Sequence, residues 1–219
     1  MKNLQRQHII IFALFLIATV MGYFFLDIPM ARWCRKLDHS ILDIAEIVTE
    51  FGKSTVYLIV SFLLFVYFRF YRKKEIYANQ SLFVFASVAF SGIFVNLVKW
   101  VAGRYRPVML FDLDLYGFTF FRTGYEWTSF ASGHAVTAFS LAFSLSILFP
   151  KGRFFFFPAA VAIAASRVLL TSHYLGDVIF GAYIGIASVY LLKAFFDRRK
   201  WRIRRIEGEN VIPNECKAS

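Results

Sequence analysis

Three short segments place charged and titratable side chains where an apolar chain would otherwise run on uninterrupted. SRVLLTSHYLGD, residues 166–177, sets Arg167, His173 and Asp177 within eleven residues of a greasy run. KWVAGRYRP, residues 99–107, contributes Lys99 and Arg106, and SFASGHA, residues 129–135, opens another apolar run with Ser132, Gly133 and His134. A charge at the centre of a membrane span costs roughly 2.5–3.5 kcal/mol by insertion scales, so by default it marks a function. Taken alone, Arg167 reads equally well as a snorkelling arginine. Taken together, three cations, two histidines and a helix start converge on one membrane face. A helix N-terminus presents free N–H groups and the positive end of the dipole, and Gly133 lets an anion approach the backbone closely. The combination points to a bound phosphate.

The elements that carry these residues are membrane helices. The chain has 219 residues, is 58% hydrophobic and has a mean hydropathy of +0.57, which excludes an ordinary soluble domain. Six apolar runs are long enough to cross a bilayer as helix: Ile9 to Leu26, Val56 to Phe70, Ser81 to Val98, Ser132 to Phe149, Phe154 to Thr171, and Val178 to Phe196. The first exceeds a typical signal core and lacks a small-residue cleavage site after it, so a retained span is expected. The expected fold is therefore all-α: one polytopic membrane domain over residues 1–219, with six transmembrane helices.

The net charge of +11 does not point to nucleic acid, because no soluble domain is present to bind one. With the N-terminus inside, fifteen of the 25 lysines and arginines fall in inner segments and nine in outer ones. This fits the positive-inside rule with both termini cytoplasmic. The site-forming cations account for part of the outer nine. Residues 27–55 include ILDIAEIVTEFG, whose helical periodicity suggests an interfacial helix on the outer face. Residues 102–131 carry nine aromatics, Tyr105, Phe111, Tyr116, Phe118, Phe120, Phe121, Tyr125, Trp127 and Phe130, which read as a headgroup-level anchor and as a cover over a lipid-accessible site. The tail at 197–219 begins with RRKWRIRR and suits anionic inner-leaflet lipids. Cys34 and Cys216 lie on opposite sides in this topology and cannot pair. The terminal CKAS has lysine where a prenylation box wants an aliphatic residue.

The three segments resemble the motifs of the type-2 phosphatidic acid phosphatase superfamily, the lipid phosphate phosphatases. KWVAGRYRP fits Lys-x6-Arg-Pro, ASGH fits Pro-Ser-Gly-His except for Ala131 in place of proline, and SRVLLTSHYLGD fits Ser-Arg-x5-His-x3-Asp. Ala131 removes a fixed φ before the helix start, so a looser loop is expected there. The resemblance implies that His173 attacks phosphorus to give a phosphohistidine. It further implies that Asp177 hydrogen-bonds and orients that imidazole, and that His134 protonates the leaving oxygen and then activates water. It likewise implies that Lys99, Arg106, Arg167, Ser132 and Gly133 hold the phosphoryl oxygens. It implies no metal and no cofactor.

The function expected is removal of a terminal phosphate from a lipid at the outer face of a bacterial inner membrane. Undecaprenyl diphosphate, phosphatidylglycerol phosphate and the lipid A headgroup are the substrate types the resemblance suggests. A lipid phosphotransferase remains open, since a phosphohistidine can be discharged to a lipid instead of water. A transporter would need charges at midplane depth or broken helices there. The related haloperoxidases are soluble, which this composition is not. Oligomeric state and the identity of the lipid stay open. His8 and His39 read as solvated interface residues, Arg104, Asp112 and Asp114 as solvated charges, and Lys193 as a snorkelling lysine.

Overall fold

The computed structural model describes residues 2–203. Within them helix dominates: α1 (Lys2–Met21), α2 (Asp27–Cys34), α3 (His39–Glu50), α4 (Ser54–Val66), α5 (Glu75–Ala102), α6 (Pro107–Leu113), α7 (Gly133–Leu148), α8 (Arg153–Leu169) and α9 (Leu175–Arg198). A wide π-turn at Gly22–Leu26 joins α1 to α2, and another at Tyr67–Tyr71 extends α4. Five helical stretches are long and apolar enough to cross a membrane, namely Ile9–Cys34, His39–Tyr71, Glu75–Ala102, Pro150–Leu169 and Leu175–Arg198. The run expected to be the fourth span forms α7, an apolar helix of 16 residues. At 1.5 Å per residue it is about 24 Å long, shorter than the ~30 Å hydrocarbon core.

α7 is the centre of the bundle and packs on α5, α8 and α9. Its approach to α9 depends on glycine. A Cβ at Gly181 would lie 2.9 Å from the Ser132 carbonyl oxygen, and one at Gly185 would lie 2.7 Å from that of Val136. Two residues without side chains, one helical turn apart, thus let two backbones touch, as membrane helices do when no hydrophobic effect drives them together. Buried Ser140 and Ser144 satisfy their hydroxyls on the carbonyls of Thr137 (3.1 Å) and Leu141 (2.9 Å), so α7 stays polar inside without stray donors.

Several expectations change. The first apolar run does not stop at Leu26: the helical path continues to Cys34 and carries Asp27 into the protein interior. The helix expected around ILDIAEIVTEFG forms as α3 and packs against α8. Lys193 does not reach away alone; its ammonium pairs with Asp197 at 2.6 Å on the same helix face. Ala131 is fully buried with Val95, Val136 and Ile184, so its surroundings enclose it where a looser loop was expected. The start of the basic tail folds back: Trp201 sits edge-on to Phe196 at 5.0 Å, and the Ile203 carbonyl accepts from Gln80 at 2.9 Å. Arg204, Arg205, Cys216 and Lys217 lie outside the described residues.

Candidate active site

Four chain segments build the site. The first is the end of α5. Gly103 caps it with φ +55°, and a Cβ there would sit 2.8 Å from the Phe120 nitrogen, so the left-handed turn has room for glycine alone. The turn brings Lys99 and Arg106 to one place: the Lys99 Nζ donates to the Thr128 carbonyl at 2.6 Å, and an Arg106 Nη donates to the same oxygen at 3.4 Å. Arg106 is fixed further by the carbonyls of Tyr125 (2.7 Å) and Ser172 (2.9 Å), and its guanidinium lies 3.9 Å from the centroid of the Tyr125 ring. The aromatic loop is therefore a cover over this cation as well as an exposed apolar surface at Phe120, Phe121 and Tyr125.

The second segment is the start of α7. Ser132 is its N-cap, accepting weakly from the Ala135 N–H at 3.5 Å, while its own N–H donates to the Asp177 carbonyl at 3.1 Å. Around Gly133 the backbone is open, and the nearest atom to a built Cβ is the Lys99 Cε at 4.0 Å. An anion at this helix start would thus lie against the lysine.

The third segment is the end of α3, which sequence reasoning did not assign to the site. The Thr49 hydroxyl accepts from Arg167 at 2.7 Å, and the Arg167 Nε is buried without a partner. Three residues on, Gly52 makes room for His134: a Cβ there would come within 2.5 Å of the imidazole Cδ2. One end of one helix therefore seats both the arginine and the second histidine.

The fourth segment joins α8 to α9 and carries His173, which is buried. Its Nδ1 donates to the Ser129 carbonyl at 2.8 Å, which leaves the Nε2 lone pair directed at the Arg106 Nη, 3.5 Å away. The Asp177 carboxylate is 3.7 Å from Nδ1, so the orienting hydrogen bond expected of Asp177 is made by Ser129 instead. Asp177 is itself anchored: one oxygen accepts from the Ser129 hydroxyl (2.5 Å) and the Tyr174 N–H (2.9 Å), and the other accepts from Arg104 (2.5 Å). Arg104 corrects a second expectation. It is not solvated but fully buried, and it also pairs with Asp27 at 2.6 Å. The two carboxylates outweigh the cost of burial and hold its guanidinium charge more firmly than usual. The signal for Asp27 was present in FFLDIPMA, an acid inside an apolar run.

All eight sequence-predicted site residues thus lie at connected ends of α5, α7, α8 and α9. The arrangement offers an unprotonated imidazole nitrogen beside Arg106, three cations, an open helix start and a second imidazole. Among the described residues, no group of three His, Cys, Asp or Glu side chains is placed to hold a metal ion. Residues 80–201, which include every one of the eight, match the family model of the PAP2 superfamily. The chain belongs to the PAP2 superfamily.

PAP2 relatives narrow the comparison. The chain is 33% identical over 156 residues to the Lipid A 1-phosphatase of Rhizobium etli, covering 67% of each chain. It is 31% identical over 191 residues to the Lipid A 1-phosphatase of Rhizobium johnstonii, covering 83% of this chain and 78% of that one. Two solved structures share the fold at 20% identity. LpxE of Aquifex aeolicus has a TM-score of 0.58, covering 80% of this chain and 98% of its own. The PAP2-type phosphatidylglycerolphosphate phosphatase of Bacillus subtilis has a TM-score of 0.59, covering 90% and 98%. The protein is a multi-pass membrane lipid phosphatase of the PAP2 type.

Burial pushes the His173 imidazole down to about 3; the charges of Lys99 and Arg106 add to this and Asp177 opposes it. A free histidine would lose half its nucleophile on acidification to about pH 6.5. With the folded value below that, His173 stays neutral as pH falls, until well under pH 5. If His173 is the nucleophile, as the family resemblance implies, phosphoenzyme formation in rapid-quench experiments should therefore not decline between pH 7.5 and pH 5.5. A decline centred near 6.5 would place this imidazole in an ordinary aqueous environment.

Proposed function

We propose that the protein hydrolyses the terminal phosphate of a lipid phosphate or diphosphate through a phosphohistidine on His173, with a lipid A type glycolipid as the favoured substrate. The observation that carries the mechanism is the His173 tautomer. The Nδ1 proton is committed to the Ser129 carbonyl, so Nε2 is the unprotonated nitrogen and faces the fixed Arg106 at 3.5 Å. The Lipid A 1-phosphatase relatives favour the glycolipid over undecaprenyl diphosphate and phosphatidylglycerol phosphate.

In the first step the Nε2 lone pair forms the N–P bond as the bond from phosphorus to the lipid oxygen breaks. That oxygen takes the departing electron pair and a proton from His134. In the second step water attacks phosphorus and gives a proton back to His134, and the N–P electron pair returns to Nε2. Lys99, Arg106 and Arg167 balance the charge on the equatorial oxygens, with the N–H groups at Ser132 and Gly133 adding donors. The partnerless Nε of Arg167 is a donor available for that task. These cations supply what a metal would otherwise supply, so the reaction proceeds without one. The charge distribution supports an outward-facing site in a bacterial inner membrane, with both termini cytoplasmic.

The test is phosphate release by purified protein from a panel of lipid phosphates and diphosphates, in excess chelator. We expect inorganic phosphate, fastest from the glycolipid and unchanged by chelator. Activity lost in chelator and restored by magnesium would overturn the metal-free mechanism. Phosphate appearing on a second lipid, with none released, would make the protein a phosphotransferase.

A further inference from the structure

Arg104 lies inside the Lys-x6-Arg-Pro motif without being one of its defining residues, and Asp27 lies outside the matched residues altogether. Yet these two and Asp177 form a closed unit beneath His173. One Nη of Arg104 donates to Asp177 at 2.5 Å and the other to Asp27 at 2.6 Å. The Tyr116 hydroxyl, 3.0 Å from the second Nη, donates onward to the Tyr23 carbonyl at 2.6 Å. The rings of Tyr23, Tyr116, Phe118 and Tyr174 surround the guanidinium at 4.6–5.4 Å from its carbon. Asp27 grips α9 a second time, because its other oxygen accepts from the Gly176 N–H at 2.9 Å, one residue before Asp177.

Buried ion triads are not in themselves a source of stability: packed apolar groups often do as well or better. This one has a use that apolar groups could not fill. When Nε2 attacks, the imidazole keeps its Nδ1 proton and becomes positive, and the Ser129 carbonyl, being neutral, only partly offsets that charge. Asp177 is the nearby anion, but Arg104 alone would cancel it. Asp27 restores the balance, since two carboxylates and one guanidinium leave the triad with one net negative charge, and its nearest carboxylate, that of Asp177, lies 3.7 Å from the imidazole.

We propose that Asp27 and Arg104 are positioning residues for the catalytic dyad. Arg104 fixes the Asp177 carboxylate, and Asp27, from the first membrane helix, keeps the group beneath His173 net negative so that it stabilises the phosphoimidazolium. The inference rests on the phosphohistidine mechanism proposed above. It predicts an effect on chemistry and not on substrate binding, because neither residue reaches the phosphate cradle.

Asp27→Asn keeps the shape and removes one charge, which leaves the group neutral. We expect kcat on p-nitrophenyl phosphate and on the lipid to fall by about tenfold or more, with KM within twofold and phosphoenzyme formation slowed equally. Arg104→Lys keeps the charge but loses the fork that joins two carboxylates, and should also lower kcat at constant KM. Thermal unfolding in detergent is measured on each variant. Unchanged kcat in a folded Asp27→Asn protein would overturn the inference. So would a rise in KM that matches the fall in kcat together with a drop in Tm, the pattern of a structural role. If Asp27→Asn does not fold, Arg104→Lys decides by the same criteria. Wild-type protein that neither releases phosphate nor traps a phosphoenzyme sinks the phosphatase reading and the inference with it. Wild-type protein that does both, with variants equal to it, sinks the positioning role alone.

Discussion

His173→Ala should lower phosphate release by about 10⁴-fold or more and leave no acid-labile, base-stable phosphoenzyme to trap. The size follows from the absence of a substitute. The nitrogen that must reach phosphorus is held by a hydrogen bond to the Ser129 carbonyl, 2.8 Å from Nδ1, on a short connection between α8 and α9. No other described side chain presents a free lone pair to Arg106 in the same way. Of the proposed cradle of Lys99, Arg106 and Arg167, only Arg106 loses a contact, the 3.5 Å approach to Nε2, and it keeps the carbonyls of Tyr125, Ser172 and Thr128, so the variant should still bind substrate and compete for it. Labelled phosphate found on His134 in the wild type would reverse the two roles. Labelled phosphate on neither histidine, in active protein, would mean direct attack by water.

His134→Ala has the second largest effect, and its diagnostic feature is dependence on the leaving group. On a lipid monoester the departing oxygen needs a proton, and loss of a general acid costs about 10²–10⁴-fold. On p-nitrophenyl phosphate the leaving oxygen departs without one, so the first step should recover most of that loss. The second step should not recover, since the same imidazole activates water. The phosphoenzyme should therefore accumulate as a burst with this substrate. Equal loss on both substrates, with no accumulation, would remove His134 from proton transfer. Its contact with Gly52 adds a control: a Cβ there would meet the ring at 2.5 Å, so Gly52→Ala should displace the same group and show the same dependence on the leaving group.

The candidate site residues were legible in the sequence because charge inside an apolar run is costly enough to need a reason. Lys99, Arg106, His134, Arg167, His173 and Asp177 declared themselves in that way, Ser132 and Gly133 as an apolar helix start, and hydropathy located the long apolar helices while the periodicity of ILDIAEIVTEFG located α3. What stayed hidden was contact between distant segments. Thr49 and Gly52 look like ordinary members of an amphipathic stretch, and only the packing of α3 on α8 brings them to Arg167 and His134. Arg104 was misread for a related reason. An arginine two residues from a motif arginine, in a loop, looks solvated until its partners are known, and those partners are 77 and 73 residues away. Asp27 obeyed the same rule as the other charges, but it falls just past the point where the first apolar run was taken to end.

The Arg104 bridge also sets a timetable for biogenesis. Among the described residues its three members sit on the first, after the third, and on the last of the helical stretches able to cross a membrane. A carboxylate or guanidinium left unpaired in hydrocarbon is costly. During synthesis Asp27 therefore enters the bilayer some 77 residues of chain before its counter-ion exists, and Arg104 then waits for α9 before its second carboxylate arrives. His173, the proposed nucleophile, emerges immediately before α9. If the triad positions the dyad as proposed, the newborn chain is chemically silent until α9 has joined the first membrane-crossing stretch, and a chain truncated before α9 should lack the reactive centre.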